Sequence, residues 1–251
     1  MIPEDLPKAL HHEGGLSRRL FLAYAASLSS IPLLSRYASA APAHSFTSDP
    51  FTFGVASGDP DHESVILWTR LAPKPLEPGG GMPKAPVEVH WEIAEDSFFK
   101  KIVQSGKINA TPELGHSVHI EPRGLKPDHW YSYRFKSGDA TSPIGRTRTM
   151  PAPDASPGKL RFAVTSCQNF EAGLFTAYQQ MAKDKPDLVF HLGDYIYEYA
   201  SGRNGKVRTH LGPEIESLDQ YQIRYAQYRG DKDLQAMHAA CPWFVTWDDH
   251  E

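Results

Sequence analysis

Leu188–Tyr197 reads LVFHLGDYIY: an apolar run of strand length that closes on a glycine, an acid and, three residues later, a phenol. A short apolar run bounded by a turn residue is the mark of a buried strand. Gly193, Asp194 and Tyr197 are therefore expected at a strand-to-loop edge, where a carboxylate and a phenol can serve one hard metal ion.

Working outward, LRFAVTS (160–166) is a second apolar strand. Between the two, AGLFTAYQQMAKD (172–184) carries Leu174, Phe175, Tyr178 and Met181 at helical spacing. Strand, helix and strand in succession make a βαβ unit, which requires parallel strands and covering helices. SLDQYQIRYAQYRG (217–230) and DKDLQAMHAA (231–240) read as helices, and PWFVTWDDHE (242–251) returns as a third strand. Tyr221, Tyr225 and Tyr228 fall at helical spacing, a packing pattern. Strands of such a sheet end at one edge, outside which ligands bind. SCQ (166–168), GDYIY (193–197) and WDDHE (247–251) are the three ends, offering a thiol at Cys167, the acid and phenol of Asp194 and Tyr197, carboxylates at Asp248 and Asp249, and an imidazole at His250.

Upstream the pattern changes. PAPDASPG (151–158) is a linker by composition, and before it short alternating runs predict about seven strands: 51–57, 64–70, 87–95, 100–108, 116–122, 130–137 and 144–149. In VEVHWEI, Val87, Val89, Trp91 and Ile93 share one face, as a half-buried antiparallel strand requires. The fold class expected is a β-sandwich of fibronectin-III or immunoglobulin type over 43–150, then an incomplete α/β domain over 159–251. GLKPDHWYSYRF (124–135) resembles the corner and strand of such modules, where a tyrosine ties back to the preceding turn. His116 and His119, three apart on a strand, point to opposite faces and cannot share an ion without a bulge.

Residues 17–22 read SRRLFL, ahead of a moderately apolar stretch and ASA at 38–40. The run is too short to span a bilayer and resembles a twin-arginine signal peptide over 1–40, cleaved after Ala40. An amphipathic surface helix or a membrane anchor is the alternative. The signal implies the twin-arginine export machinery as a partner, a periplasmic or secreted location, and no stable membrane anchor. With 26 basic against 30 acidic residues, and no basic patch, a nucleic-acid partner is excluded. Two cysteines, Cys167 and Cys241, cannot make a disulfide scaffold, although they can make one bridge.

GDYIY matches the G-D-x-x-Y element of purple acid phosphatases and other calcineurin-like metallophosphoesterases, and WDDHE stands where that superfamily carries G-N-H-E/D. Together with the signal, FTFGVASGDP, VTSCQNFEAG and LVFHLGDYIYEY, the chain resembles the PhoD-like alkaline phosphatase family over about residues 17–251. The resemblance implies Fe(III) and Ca(II) as cofactors. It gives Asp194 the role of bridging carboxylate, Tyr197 that of ferric phenolate, Cys167 the first ligand position and Asp249 a ligand to the divalent ion. His250 would stand by the substrate phosphate, to hydrogen-bond the substrate or protonate the leaving alkoxide. The activity implied is hydrolysis of phosphate mono- or diesters through metal-activated hydroxide.

For Cys167 the competing reading is an apolar core residue. Asp248 stays open between ligand and solvated acid, Glu251 reads as solvated, and His191 as a satisfied core histidine. Cys241 reads as structural. A two-metal site needs further histidines, which the superfamily supplies from later motifs such as G-H-x-H. The sequence therefore reads as an N-terminal fragment, inactive alone and poorly folded after about residue 159. The alternatives are a phospholipase D-like phosphodiesterase and an extracellular binding protein with a degenerate site.

Overall fold

The computed structural model describes residues 45–205 and 207–251, so the expected signal peptide lies outside the described residues. Eleven strands and three α-helices run in the order β1 (Val55–Gly58), β2 (Ile66–Arg70), β3 (Val87–Ala94), β4 (Ile102–Ala110), β5 (Ser117–Ile120), β6 (Trp130–Ser137), β7 (Ala140–Thr141), β8 (Gly145–Arg148), β9 (Phe162–Thr165), α1 (Thr176–Asp184), β10 (Leu188–His191), α2 (Leu218–Arg229), α3 (Lys232–Ala240) and β11 (Trp243–Val245) among those residues. Each of the seven runs expected upstream forms a strand.

Strands β4, β3, β6 and β7 make one antiparallel sheet, with β8 also on β6. The second sheet has the order β5-β2-β1-β11-β10-β9. Its β5-β2-β1 half faces the first sheet, and side chains from both layers share one core: Val55, Leu67 and Val118 from one, Val89, Ile93, Tyr131, Tyr133 and Phe135 from the other. Alternation puts these residues inward, as sandwich packing demands. The corner tyrosine is Tyr131, whose hydroxyl accepts from the Lys126 N–H at 2.9 Å.

The second sheet does not stop where the sandwich does. β1 pairs antiparallel with β2 and, through Gly58 opposite Trp243, parallel with β11. Hydrogen bonding thus crosses the linker expected at 151–158, which has no strand or helix and is largely exposed. Sequence periodicity carries no information about pairing between strands so far apart in the chain, so the continuity was not readable. The described residues from 45 onward belong to one compact unit. An ion pair between Arg148 of β8 and Asp187, 2.6 Å, reinforces the join.

β9, β10 and β11 are parallel. Helices cover one face of them, where Tyr178, Tyr228, Leu234 and Met237 pack with Val189 and Trp243. The opposite face carries a row of rings, Phe162, Phe190 and Phe244, with neighbouring centroids 5.7 and 5.3 Å apart. Tyr221 and Tyr225 pack on the helical core as their spacing predicts. Cys167 is exposed and Cys241 buried, and both are free, so the possible bridge does not form. No helix among the described residues is long and apolar enough to cross a membrane.

Candidate metal centre

The parallel strands bring their carboxyl ends to one edge. After β9 the chain turns through Cys167, φ 55°, and after β10 through Gly193 and Asp194, φ 105° and 54°. Left-handed backbone at two non-glycine residues is costly and persists where surroundings hold it. Here the two turns hold each other: Cys167 N–H donates to Gly193 O and Gln168 N–H to Asp194 O, both at 3.1 Å. Gly193 is needed for space as well as φ, since a Cβ there would stand 2.4 Å from Asp248 Cβ.

Asp194 is 6% exposed. Its Oδ2 accepts from the Tyr197 hydroxyl at 2.8 Å, while its buried Oδ1 has no hydrogen-bond partner. Donor atoms of Asp194, Asp249 and His250 lie within 4.8 Å of one another, close enough to hold one ion. The Tyr197 and His250 rings are 4.4 Å apart. Burial, the Asp194 carboxylate and the Cys167 thiol all push the Tyr197 phenol well above its ordinary pKa. Cys167, Asp194, Tyr197, Asp249 and His250 are thus gathered at the strand ends, with Asp249 on the solvent side.

Two neighbours gave no signal on their own. Glu198 Oε2 meets His250 Nδ1 at 2.8 Å, and Tyr199 Oη stands 3.4 Å from Nε2. Burial pulls the imidazole pKa down, but Glu198, Asp194 and Asp249 outweigh it and the net shift is upward. Both residues sit in GDYIYEY, where period-two alternation past Tyr197 reads only as continued strand. Arg224 of α2 donates to the Tyr197 carbonyl, fixing this segment from behind.

Other expectations change in detail. His191 is buried and Nδ1 accepts weakly from Gly193 N–H, but Nε2 has no partner, so it is not a satisfied core histidine. Desolvation pulls it to about 4. Glu251 is not merely solvated: its carboxylate accepts from Tyr195 N–H and, at 2.9 Å, from Asp248 N–H, closing the last turn. Asp248 is exposed. His116 turns inward to Ala110 and Pro83 carbonyls, whereas His119 is exposed, so the two share nothing. A cavity of ≈ 520 Å³ between α2 and the outer face of β1 and β2 reaches Tyr195 and Glu251 beside the site, and none of the five gathered residues lines it.

A second carboxylate organises the surrounding loop. Glu171, fully buried, accepts from the N–H groups of Gly202 at 2.8 Å, Asn204 at 2.9 Å and His210 at 2.7 Å. Burial alone would raise its pKa; the three N–H groups reverse this and hold it low. Between the first two anchors Arg203 lays its guanidinium 3.8 Å from the Tyr199 ring centroid.

The donor set fits a metal. An orphaned carboxylate oxygen, a second carboxylate, a phenol and a thiol converge, and the protonated phenol beside Asp194 is the state a cation would reverse.

Comparisons with known proteins find a family and relatives for this chain. The family described as PhoD-like phosphatase, N-terminal domain, matches residues 37–151, and that described as PhoD-like phosphatase matches 162–251. Alkaline phosphatase D of Bacillus subtilis (strain 168) is 58% identical over 213 residues, which is 83% of this chain and 36% of the relative. A solved structure of PhoD superposes with a TM-score of 0.81 at 57% identity, covering 83% of this chain and 40% of that one. The chain thus spans little more than a third of the length of the curated relative.

Proposed function

Because the chain belongs to the PhoD-like phosphatase family, we propose that its three strand ends form part of the site of an exported, metal-dependent phosphatase acting on phosphate mono- or diesters. The observation that carries this is the unpartnered, buried Oδ1 of Asp194 beside Asp249 and His250. Cys167 and Tyr197 are donors suited to Fe(III), and the carboxylates of Asp194 and Asp249 suit Ca(II). When bound, such ions neutralise the ester's negative charge and supply a hydroxide nucleophile near neutral pH.

The chain's own residues do the rest. Asp194 meets the Tyr197 hydroxyl through Oδ2 and lies within reach of Asp249, so these three side chains would together hold the ions. Glu198 fixes the His250 tautomer through Nδ1, leaving Nε2 to give a proton to the leaving oxygen. The crossed backbone bonds between the Cys167 and Asp194 turns hold donors in place before any ion arrives.

The chain spans 36% of the length of the Bacillus subtilis relative. The assay therefore uses the chain alone and the chain joined to the part of that relative it does not span, with Fe(III) and Ca(II), on p-nitrophenyl phosphate and its bis ester. Hydrolysis only by the joined protein, abolished by Asp194→Asn, is expected. Full activity of the chain alone would show that no further ligands are required. Inactivity of both on either ester would remove the phosphatase reading. For the metal, a visible phenolate-to-iron band is expected that Tyr197→Phe abolishes; an active, iron-free protein overturns the ferric assignment.

A further inference from the structure

We propose that Arg203 is a substrate-binding residue that contacts anionic phosphoryl oxygens, and that buried Glu171 is the positioning residue that presents it. The proposal rests on the phosphatase reading and adds a contact that does not depend on metal ligation. Its basis is a loop clamped on both sides of one side chain. Glu171 takes the N–H of Gly202 through Oε1 and of Asn204 through Oε2, the residues flanking Arg203. A third bond, from His210 N–H, fixes the loop's return. His210 in turn meets the Tyr199 carbonyl at 3.2 Å and the Tyr228 hydroxyl at 3.0 Å.

A fully buried carboxylate is expensive unless its oxygens are satisfied, and here they are satisfied by the backbone of an otherwise exposed loop. Such an arrangement fixes the backbone on either side of Arg203. What it presents is a guanidinium lying against Tyr199, the residue whose hydroxyl is 3.4 Å from His250 Nε2. Stacking on a ring face leaves the N–H edge of a guanidinium free, and that edge matches phosphate oxygens in a bidentate fork. Among the described residues Arg203 makes no ion pair or side-chain hydrogen bond, its ring contact aside, so the fork is available. The cluster it borders is otherwise anionic, with Asp194, Glu198, Asp249 and Glu251 close together. Phosphate approaching that cluster therefore gains most from a fixed cation at its rim.

The experiment is calorimetric titration of inorganic phosphate into the full chain, with and without Fe(III) and Ca(II), for wild type, Arg203→Ala, Arg203→Lys and Glu171→Gln. Loss of a charge-assisted contact is expected to weaken binding by about tenfold in Arg203→Ala. Arg203→Lys recovers part of this, because charge remains without the planar fork. Glu171→Gln weakens binding with Arg203 intact. Arg203 is exposed, so its variants keep the fold even if Glu171→Gln does not. Phosphate affinity unchanged in Arg203→Ala, or absent in wild type under every metal condition, overturns the proposal. Arg203-dependent binding in a protein that hydrolyses no ester would keep the contact and sink the phosphatase reading. Asp194-dependent hydrolysis with KM indifferent to Arg203→Ala would do the reverse.

Discussion

Glu198 stands four residues after Asp194, and its carboxylate reaches the imidazole of His250, to which the family resemblance gives an acid's role. A histidine used as an acid needs one nitrogen occupied by a partner so that the other points to its task. Glu198→Gln should lower kcat of the joined protein by about 10²-fold with little change in KM, since general acid catalysis contributes in that range. The loss should be larger for alkyl esters than for p-nitrophenyl phosphate, whose leaving group needs no proton. Equal losses for both would show that Glu198 is not acting through proton transfer. At this scale Cys167, Asp194, Tyr197, Asp249 and His250 were legible because each follows a strand end. Glu198, Tyr199 and Glu171 were not. Their roles depend on which backbone groups lie opposite them, and that is a property of folded loops.

α2 is the element that backs the site. Its N-terminus is closed by a capping box in which Ser217 Oγ accepts from Gln220 N–H and Gln220 Oε1 accepts from Ser217 N–H. From its buried side Arg224 holds the Tyr197 carbonyl, and Tyr228 meets His210. Ser217→Ala should cost about 1 kcal/mol and lower the thermal midpoint by roughly 2–4 °C. A midpoint unchanged by calorimetry would mean that packing, not the cap, sets this helix. Elements were the most legible level. Alternation located β3 and β6 almost to the residue, and the apolar spacing of 172–184 anticipates α1, which starts later, at Thr176, after an irregular stretch over 173–175. What alternation cannot supply is pairing, so the partnership of β1 with β11 had no local trace.

For the whole molecule, acid is the weak direction. His116, His210 and His238 are buried and their pKa values lie below the ordinary imidazole range, chiefly through desolvation. His191 is at about 4 for the same reason. Each is neutral in the fold and takes a proton more readily when unfolded. The unfolded chain therefore binds more protons below about pH 6.5, and stability falls as pH drops from there toward 4. Denaturant titrations at pH 7.5, 6 and 5 should show a falling midpoint. A midpoint that rises on acidification would place these side chains in solvent. Assembly has its own constraint, set by β1 lying between β2 and β11. During synthesis the ribosome releases β1 long before Trp243 exists, so one edge of the nascent sandwich stays unpaired while most of the chain is made. An open edge is a template for pairing with other chains. The pairing of β1 with β11 around Trp243 then acts as a latch that shuts late, linking solubility of the amino-terminal half to completion of the parallel strands.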